Sequence, residues 1–177
     1  MFKFKKNKEK PNEDKGGQAP TPADMYHELR TMALSIKASQ IGVEPGNEHP
    51  VYGAVIDMVF GEATATMISM LDGTVSLYYS SGGGIIGVGE RYGEVREHSF
   101  ILLANAVQLL EYFSVTEDYS LPEEENSCFA FFLTEDGVYK ADFHMDRDDE
   151  GEEYNFLNHL IQNLLTSIRV STEDEGI

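Results

Sequence analysis

The densest run of chemically suggestive residues is Ser80-Ser81-Gly82-Gly83-Gly84-Ile85-Ile86-Gly87-Val88-Gly89-Glu90-Arg91-Tyr92-Gly93. Gly82, Gly84 and Gly87 satisfy the spacing G-x-G-x-x-G, which in dinucleotide-binding folds lets backbone amides approach a pyrophosphate at a helix N-terminus. That chemistry needs a parallel βαβ unit, whereas the segment before these glycines reads as one arm of a hairpin. No Gly-Lys-Ser/Thr follows, so this is not a Walker loop either. An anion cradle remains open: amides at Gly82, Gly83, Gly84, Gly87 and Gly89, with Arg91 and Arg96 nearby. The expected role is architectural, with glycines letting the backbone turn sharply and lie close under a helix. A third reading makes the run a protein-docking loop with Ile85 and Ile86 as apolar contacts, since two adjacent isoleucines are out of place in a merely solvated loop.

The other reactive residue types form no coherent set. Asp146-Arg147-Asp148-Asp149-Glu150-Gly151-Glu152-Glu153 holds six acids in eight positions and imitates the first half of an EF-hand loop. Position 12 of that loop should be a bidentate Glu and is Leu157, so no calcium site of that type is expected. Five histidines (His27, His49, His98, His144, His159) are scattered. His144 with Asp146 could begin a metal site, but no second histidine stands at ligand spacing, and no metal or cofactor is expected. There is no G-x-S-x-G elbow. The single cysteine, Cys128, lies in an apolar run, where burial raises a thiol's pKa and leaves it inert. No catalytic residue is assigned.

These residues sit in a chain of 177 residues with 31 acidic and 13 basic side chains and a formal net charge of −18. The charge is unevenly placed. Residues 1–15 hold six lysines against three acids, net +3, and the rest holds seven basic residues against 28 acids, net −21. Such a field repels phosphate backbones, so nucleic-acid binding by the domain is not expected, and it favours basic partners. With 41% apolar residues, ten Phe and nine Tyr, the chain has material for a real core and is no disordered acidic polymer. One cysteine excludes a disulfide framework. No apolar run reaches the ~18 residues of a membrane span, and no apolar stretch follows the N-terminal lysines as in a secretory signal. The expectation is a soluble cytoplasmic protein. It divides into a disordered basic tail (1–20), one domain (21–171) and an acidic end (172–177). The tail, Met1-Phe2-Lys3-Phe4-Lys5-Lys6 at its start, has a composition suited to weak contact with an anionic membrane face or RNA, and equally to folding back on its own acidic domain.

The elements that must position the glycine run are legible in turns and periodicity. Thr21-Pro22-Ala23-Asp24 is a helix-start signal, and Met25, Leu29, Met32, Ala33 and Ile36 then recur at helical spacing. Gly42, Pro45, Gly46 and Pro50 close that helix. Strands are expected over 51–60, with Tyr52, Ala54, Ile56, Met58 and Phe60 on one face, and over 63–71 and 74–80. Gly61-Glu62 is a candidate turn between the first two. Asp72-Gly73, read as a two-residue turn, sets Met70 opposite Val75, Ile68 opposite Leu77 and Thr66 opposite Tyr79. A helix over 94–113 is apolar nearly all round in its middle, 100–103 and 106–110, as for one buried on more than one side or lying in a dimer interface. A second hairpin, 128–133 and 138–144, turns at Asp136-Gly137 and puts Ala130, Phe132, Ala141 and Phe143 on one side. A last helix over 153–170 carries the stripe Phe156, Leu157, Leu160, Ile161, Leu164, Leu165 and Ile168. The expected fold is α+β: a five-stranded antiparallel sheet with three helices, in the order α-βββ-α-ββ-α.

Ser76-Leu77-Tyr78-Tyr79-Ser80-Ser81-Gly82-Gly83-Gly84-Ile85-Ile86-Gly87, followed by Gly89 and Val95-Arg96, resembles a segment of small bacterial proteins with no assigned function. Asp136-Gly137-Val138-Tyr139 resembles a hairpin in the same proteins. The likeness spans residues 50–145; it implies a bacterial origin and supplies no activity. Separately, the element order is similar to the type III secretion chaperone fold, whose members are small, acidic, usually dimeric and bind an extended segment of an effector. The glycine run and the basic tail depart from that pattern.

The function expected from these observations is a non-enzymatic interaction module, chaperone-like or immunity-like and homodimeric. It would bind a basic, secreted or toxic protein through an acidic surface and an apolar patch. The alternative is a small-ligand or phosphate-binding domain, or an enzyme, that uses the glycine-rich loop 80–93.

Overall fold

In a computed structural model, which describes residues 21–48 and 50–173, the chain is α+β with one antiparallel sheet. The basic segment 1–20, His49 and residues 174–177 lie outside the described residues. Among the described residues the sheet has seven strands and there are four helices, so the expected count of five and three is corrected. In chain order these are α1 (Pro22–Ser35), β1 (Gly53–Phe60), β2 (Ala63–Met70), β3 (Val75–Tyr79), β4 (Gly84–Ile85), α2 (Val88–Arg91), α3 (Gly93–Leu109), β5 (Ser114–Val115), β6 (Ser127–Thr134), β7 (Gly137–His144) and α4 (Glu152–Thr172). The spatial order is β4-β3-β2-β1-β6-β7-β5. The two extra strands are the two edges, each two residues long and so below the length at which alternation can be read.

The central strand β1 is buried on both faces, because helices cover both sides of the sheet. Ala54, Ile56 and Met58 enter a core shared with α3 and α4, while Tyr52 and Val55 enter a second core under α1. Helix α3 packs against the sheet and α4. That accounts for most of its apolarity, leaving Phe100 and Ile101 exposed. Ser69 and Ser99 join sheet to α3 through a buried hydroxyl pair at 2.7 Å. Cys128 is fully buried, and burial pushes its thiol well up, as expected for an inert one. Among the described residues no helix is long and apolar enough to cross a membrane.

The β2–β3 register differs from the expected one by a residue. Ser69 pairs with Val75, Met67 with Leu77 and Thr66 with Tyr78. Met70 N donates to Thr74 O and Gly73 N to Met70 O, so the loop is the three residues 71–73, with Gly73 at φ 92°. A three-residue loop ending in a left-handed glycine absorbs the extra position. Gly61-Glu62 turns β1 into β2 as expected, with Phe60 opposite Ala63. The second hairpin turns at Glu135-Asp136, with Thr134 opposite Gly137, and keeps the expected face: Ala130 pairs with Ala141 and Phe132 with Tyr139.

Helix α1 starts where its signal stands. Asp24 N donates to Thr21 Oγ1, and the Asp24 carboxylate accepts from the Thr21 hydroxyl and then from Thr21 N, which holds that carboxyl below its usual pKa. Its buried face is another matter. The expected stripe includes Met25 and Met32, which are 49% and 59% exposed. The residues turned to the sheet are Tyr26, Arg30 and Ala33. The helix also ends at Ser35 rather than at Gly42. Ile36 leaves it with ψ 142° to pack on the second core, and its carbonyl accepts the Tyr52 hydroxyl at 3.0 Å.

Candidate functional site

Arg30 and Tyr26 face inward because the sheet offers them polar partners. Asp57 is the lone acid in the apolar strand β1 and is fully buried. Arg30 donates to Asp57 Oδ2 through Nε (2.9 Å) and Nη2 (2.6 Å), and Thr66 Oγ1 donates to Asp57 Oδ1 (2.5 Å). Thr66 has only one hydroxyl proton, so at 2.7 Å the Tyr26 hydroxyl donates to Thr66. Burial pushes the Tyr26 hydroxyl pKa up. The Arg30 guanidinium also lies over the Phe131 ring, 5.6 Å from its centre. This chain of donors ends on a carboxylate whose two oxygens are both engaged. It is a clamp holding α1 to the sheet rather than a reactive set.

The clamp fixes the helix that walls the glycine run. After β3 the chain turns back at Gly82 and Gly83 and pairs as β4, with Tyr78 opposite Gly84 and Leu77 opposite Ile85. Gly84 has φ 145°, and a Cβ there would strike the Leu77 carbonyl oxygen. Gly82, Gly83, Gly84 and Ile86 border a cavity of about 330 Å³, closed on the other side by Pro22, Met25, Tyr26 and Leu29 of α1 and by Tyr78 and Tyr79. Ile86 is 67% exposed on its rim. Across the sheet, Ile85 faces a second cavity of about 270 Å³ with Leu77, Tyr79, Leu165 and Ile168, rimmed by the ion pair Arg169–Glu173 at 3.2 Å. Strand β4 thus has an apolar cavity on each face, and among the described residues no strand lies along its outer side.

The residues singled out in the sequence therefore fall into separate places. Gly82, Gly83, Gly84 and Ile86 line the first cavity and Ile85 the second. Gly87, at φ 66°, opens α2 and donates to Ser76 Oγ at 3.1 Å. Gly89 is buried so close to the Gly73 carbonyl that a Cβ would collide with it. Arg91 stacks over Tyr92, and Arg96 lies on α3 against Gly73. Neither arginine lines either cavity, and among the described residues no cationic side chain lines the first.

A wider cleft of about 780 Å³ opens on the other side of α1, between Arg30, Leu34 and Lys37, the segment 115–119 and the turn 134–138. It is of mixed polarity, with Glu117, Glu135 and Asp136 on its walls. Beyond it, His144 sits between two carboxylates: Nδ1 is 3.0 Å from Glu150 and Nε2 is 3.2 Å from Glu124. Those hydrogen bonds, Glu150 first, raise its pKa. Asp146 accepts from Asn126 instead of turning toward a common centre. Among the described residues no three His, Cys, Asp or Glu side chains gather as a metal site.

Sequence reasoning did not select Tyr26, Arg30, Asp57 or Thr66. One signal was present: an acid inside an apolar strand needs a buried partner, and Arg30 follows Tyr26 at helical spacing. Comparison with protein-family models, curated proteins and solved structures finds no match.

Proposed function

We propose that this chain is a protein-interaction module that binds an extended segment of a partner along the outer edge of β4. The supporting observation is the open edge strand with an apolar cavity on each face. Successive side chains of a strand point to opposite faces, so a segment paired with β4 sets alternate residues over the two cavities. Main-chain bonds supply affinity and the cavities supply selectivity. The strongly acidic domain adds a preference for segments carrying lysine or arginine and speeds their encounter. Apolar lining at the first cavity favours a side chain over a phosphate as its occupant.

Fluorescence anisotropy with a labelled decapeptide of alternating phenylalanine and lysine tests this. Saturable binding is expected, weakening as salt is raised. Ile86→Lys, on an exposed rim, should weaken it by about tenfold or more (roughly 1.4 kcal/mol) without moving the thermal midpoint. Binding insensitive to Ile86→Lys and equal to that of a lysine–serine control peptide would sink the proposal.

A further inference from the structure

Resting on that docking reading, we infer that the β4 edge is occupied in cis by the chain's own N-terminal segment, with Phe2 and Phe4 in the cavity under α1. The segment Phe2-Lys3-Phe4-Lys5 alternates apolar and cationic residues with period two, the pattern of a strand. Paired along β4, it places Phe2 and Phe4 on one face and Lys3 and Lys5 on the other. The two faces of the edge differ in the matching sense. The α1 side is walled by Pro22, Met25, Leu29 and Tyr78 and, among the described residues, has no charged side chain. The α4 side has an apolar floor for lysine stems and, at its rim, the last turn of α4 with the ion pair Arg169–Glu173. The C-terminal end of a helix is its negative pole, where ammonium groups are favoured.

Charge and tether point the same way. Residues 1–15 carry net +3 against −21 for the remainder. Pro22 is itself a wall of the cavity, so residues 1–20 join the domain at the site they would fill. The 17 residue-to-residue steps from Phe4 to Thr21 span roughly 55–60 Å when fully extended, enough to double back onto β4. Tethering makes the event intramolecular, at an effective concentration of about millimolar. Covering β4 also removes an exposed edge that other chains can pair with. An outside partner must then displace this segment, which makes the contact autoinhibitory.

Backbone alternation supplies the readout. Tyr79 N donates to Gly83 O, so Gly83 and Ile85 direct their backbone groups at β3, and Gly84 and Ile86 direct theirs outward. Amide hydrogen exchange is measured on the full chain and on the full-length double variant Phe2→Ser/Phe4→Ser. Exchange at Gly84 and Ile86 should be at least about tenfold faster in the variant, with Ile56 and Met67 unchanged as a check on the fold. A synthetic peptide of residues 1–10 should bind the variant about tenfold more tightly than the wild type, where the site is filled. Equal exchange in both proteins overturns the inference. If the peptide then binds both equally, the docking site stands without this occupant. If it binds neither, the docking reading falls as well. Protection that grows with protein concentration, together with a dimeric mass lost in the variant, would place a second copy's segment on β4 and also overturn the cis contact.

Discussion

On one side of α1 lies a cleft of about 330 Å³ walled by Met25, Leu29, Tyr78 and glycines. On the other lies one of about 780 Å³ that mixes Lys37, Glu117, Glu135 and Asp136 with Leu34 and Val115. Both border an edge of the same sheet, and both edge strands are two residues long. The β5 edge is followed by an acidic loop whose polar atoms bond one another: Ser120 N and Oγ both reach the Asp118 carboxylate, and Lys140 approaches it from β7. The β4 edge is entered through Gly83 and begins at Gly84, both exposed glycines. Two edges of equal length thus carry different offers. One resembles ordinary solvated surface, and the other presents main chain and apolar depressions to anything of complementary pattern.

The largest expected effect comes from the clamp that both clefts share. Asp57→Ala leaves the Arg30 guanidinium buried without its carboxylate and should cost about 3–5 kcal/mol, measured by denaturant unfolding. The paired change Arg30→Met/Asp57→Leu should recover most of that loss, because no charge is then stranded. If the single and paired variants unfold alike, the clamp does not hold α1 and the two clefts have no common wall to compare.

A smaller effect separates the edges. Gly84→Val forces a side chain onto the Leu77 carbonyl at a φ of 145° and should cost about 1–3 kcal/mol. Peptide binding should be abolished while the β5 side keeps its exchange pattern. If binding survives, the edge is not the docking surface.

Features governed by near neighbours were legible in the chain. The Thr21–Asp24 box, the turn at Gly61-Glu62 and the stripe through Leu157, Leu160, Ile161 and Leu164 all rest on contacts within a few positions. The face of α1 was not legible, because the partners that turn it lie 27 and 40 residues away, Asp57 for Arg30 and Thr66 for Tyr26. Periodicity alone puts Met25 and Met32 inside, and two buried hydrogen-bonded pairs outweigh it, since an unpaired buried polar group costs more than an exposed methionine. Gly84 and Gly89 are closely packed, but against the backbone of β3 and the Gly73 carbonyl rather than beneath a helix as expected. That the glycine run also borders a cavity depends on α1, so this could not be read from the run itself.

The smallest expected effect sharpens the contrast from the β5 side. His144 holds Glu124 at the far end of the loop whose near end, residues 115–119, walls the wider cleft. With a carboxylate oxygen facing each ring nitrogen, only the imidazolium donates to both. The folded-state pKa is raised above the ordinary histidine value, chiefly by the Glu150 hydrogen bond and secondarily by Glu124. Its stabilisation is therefore fully present below that ordinary value and fades as pH rises through the raised one. Because Glu124 is largely exposed, the gain should stay under about 1 kcal/mol. His144→Gln should lower the thermal midpoint at a pH below the ordinary histidine value and leave it nearly unchanged once the pH has passed the raised one. Exchange in the loop should follow the same pH course, while exchange at β4 does not. A difference between wild type and variant that is constant across this range would show that His144 is held by packing alone, with no protonation-dependent tie between the two loops.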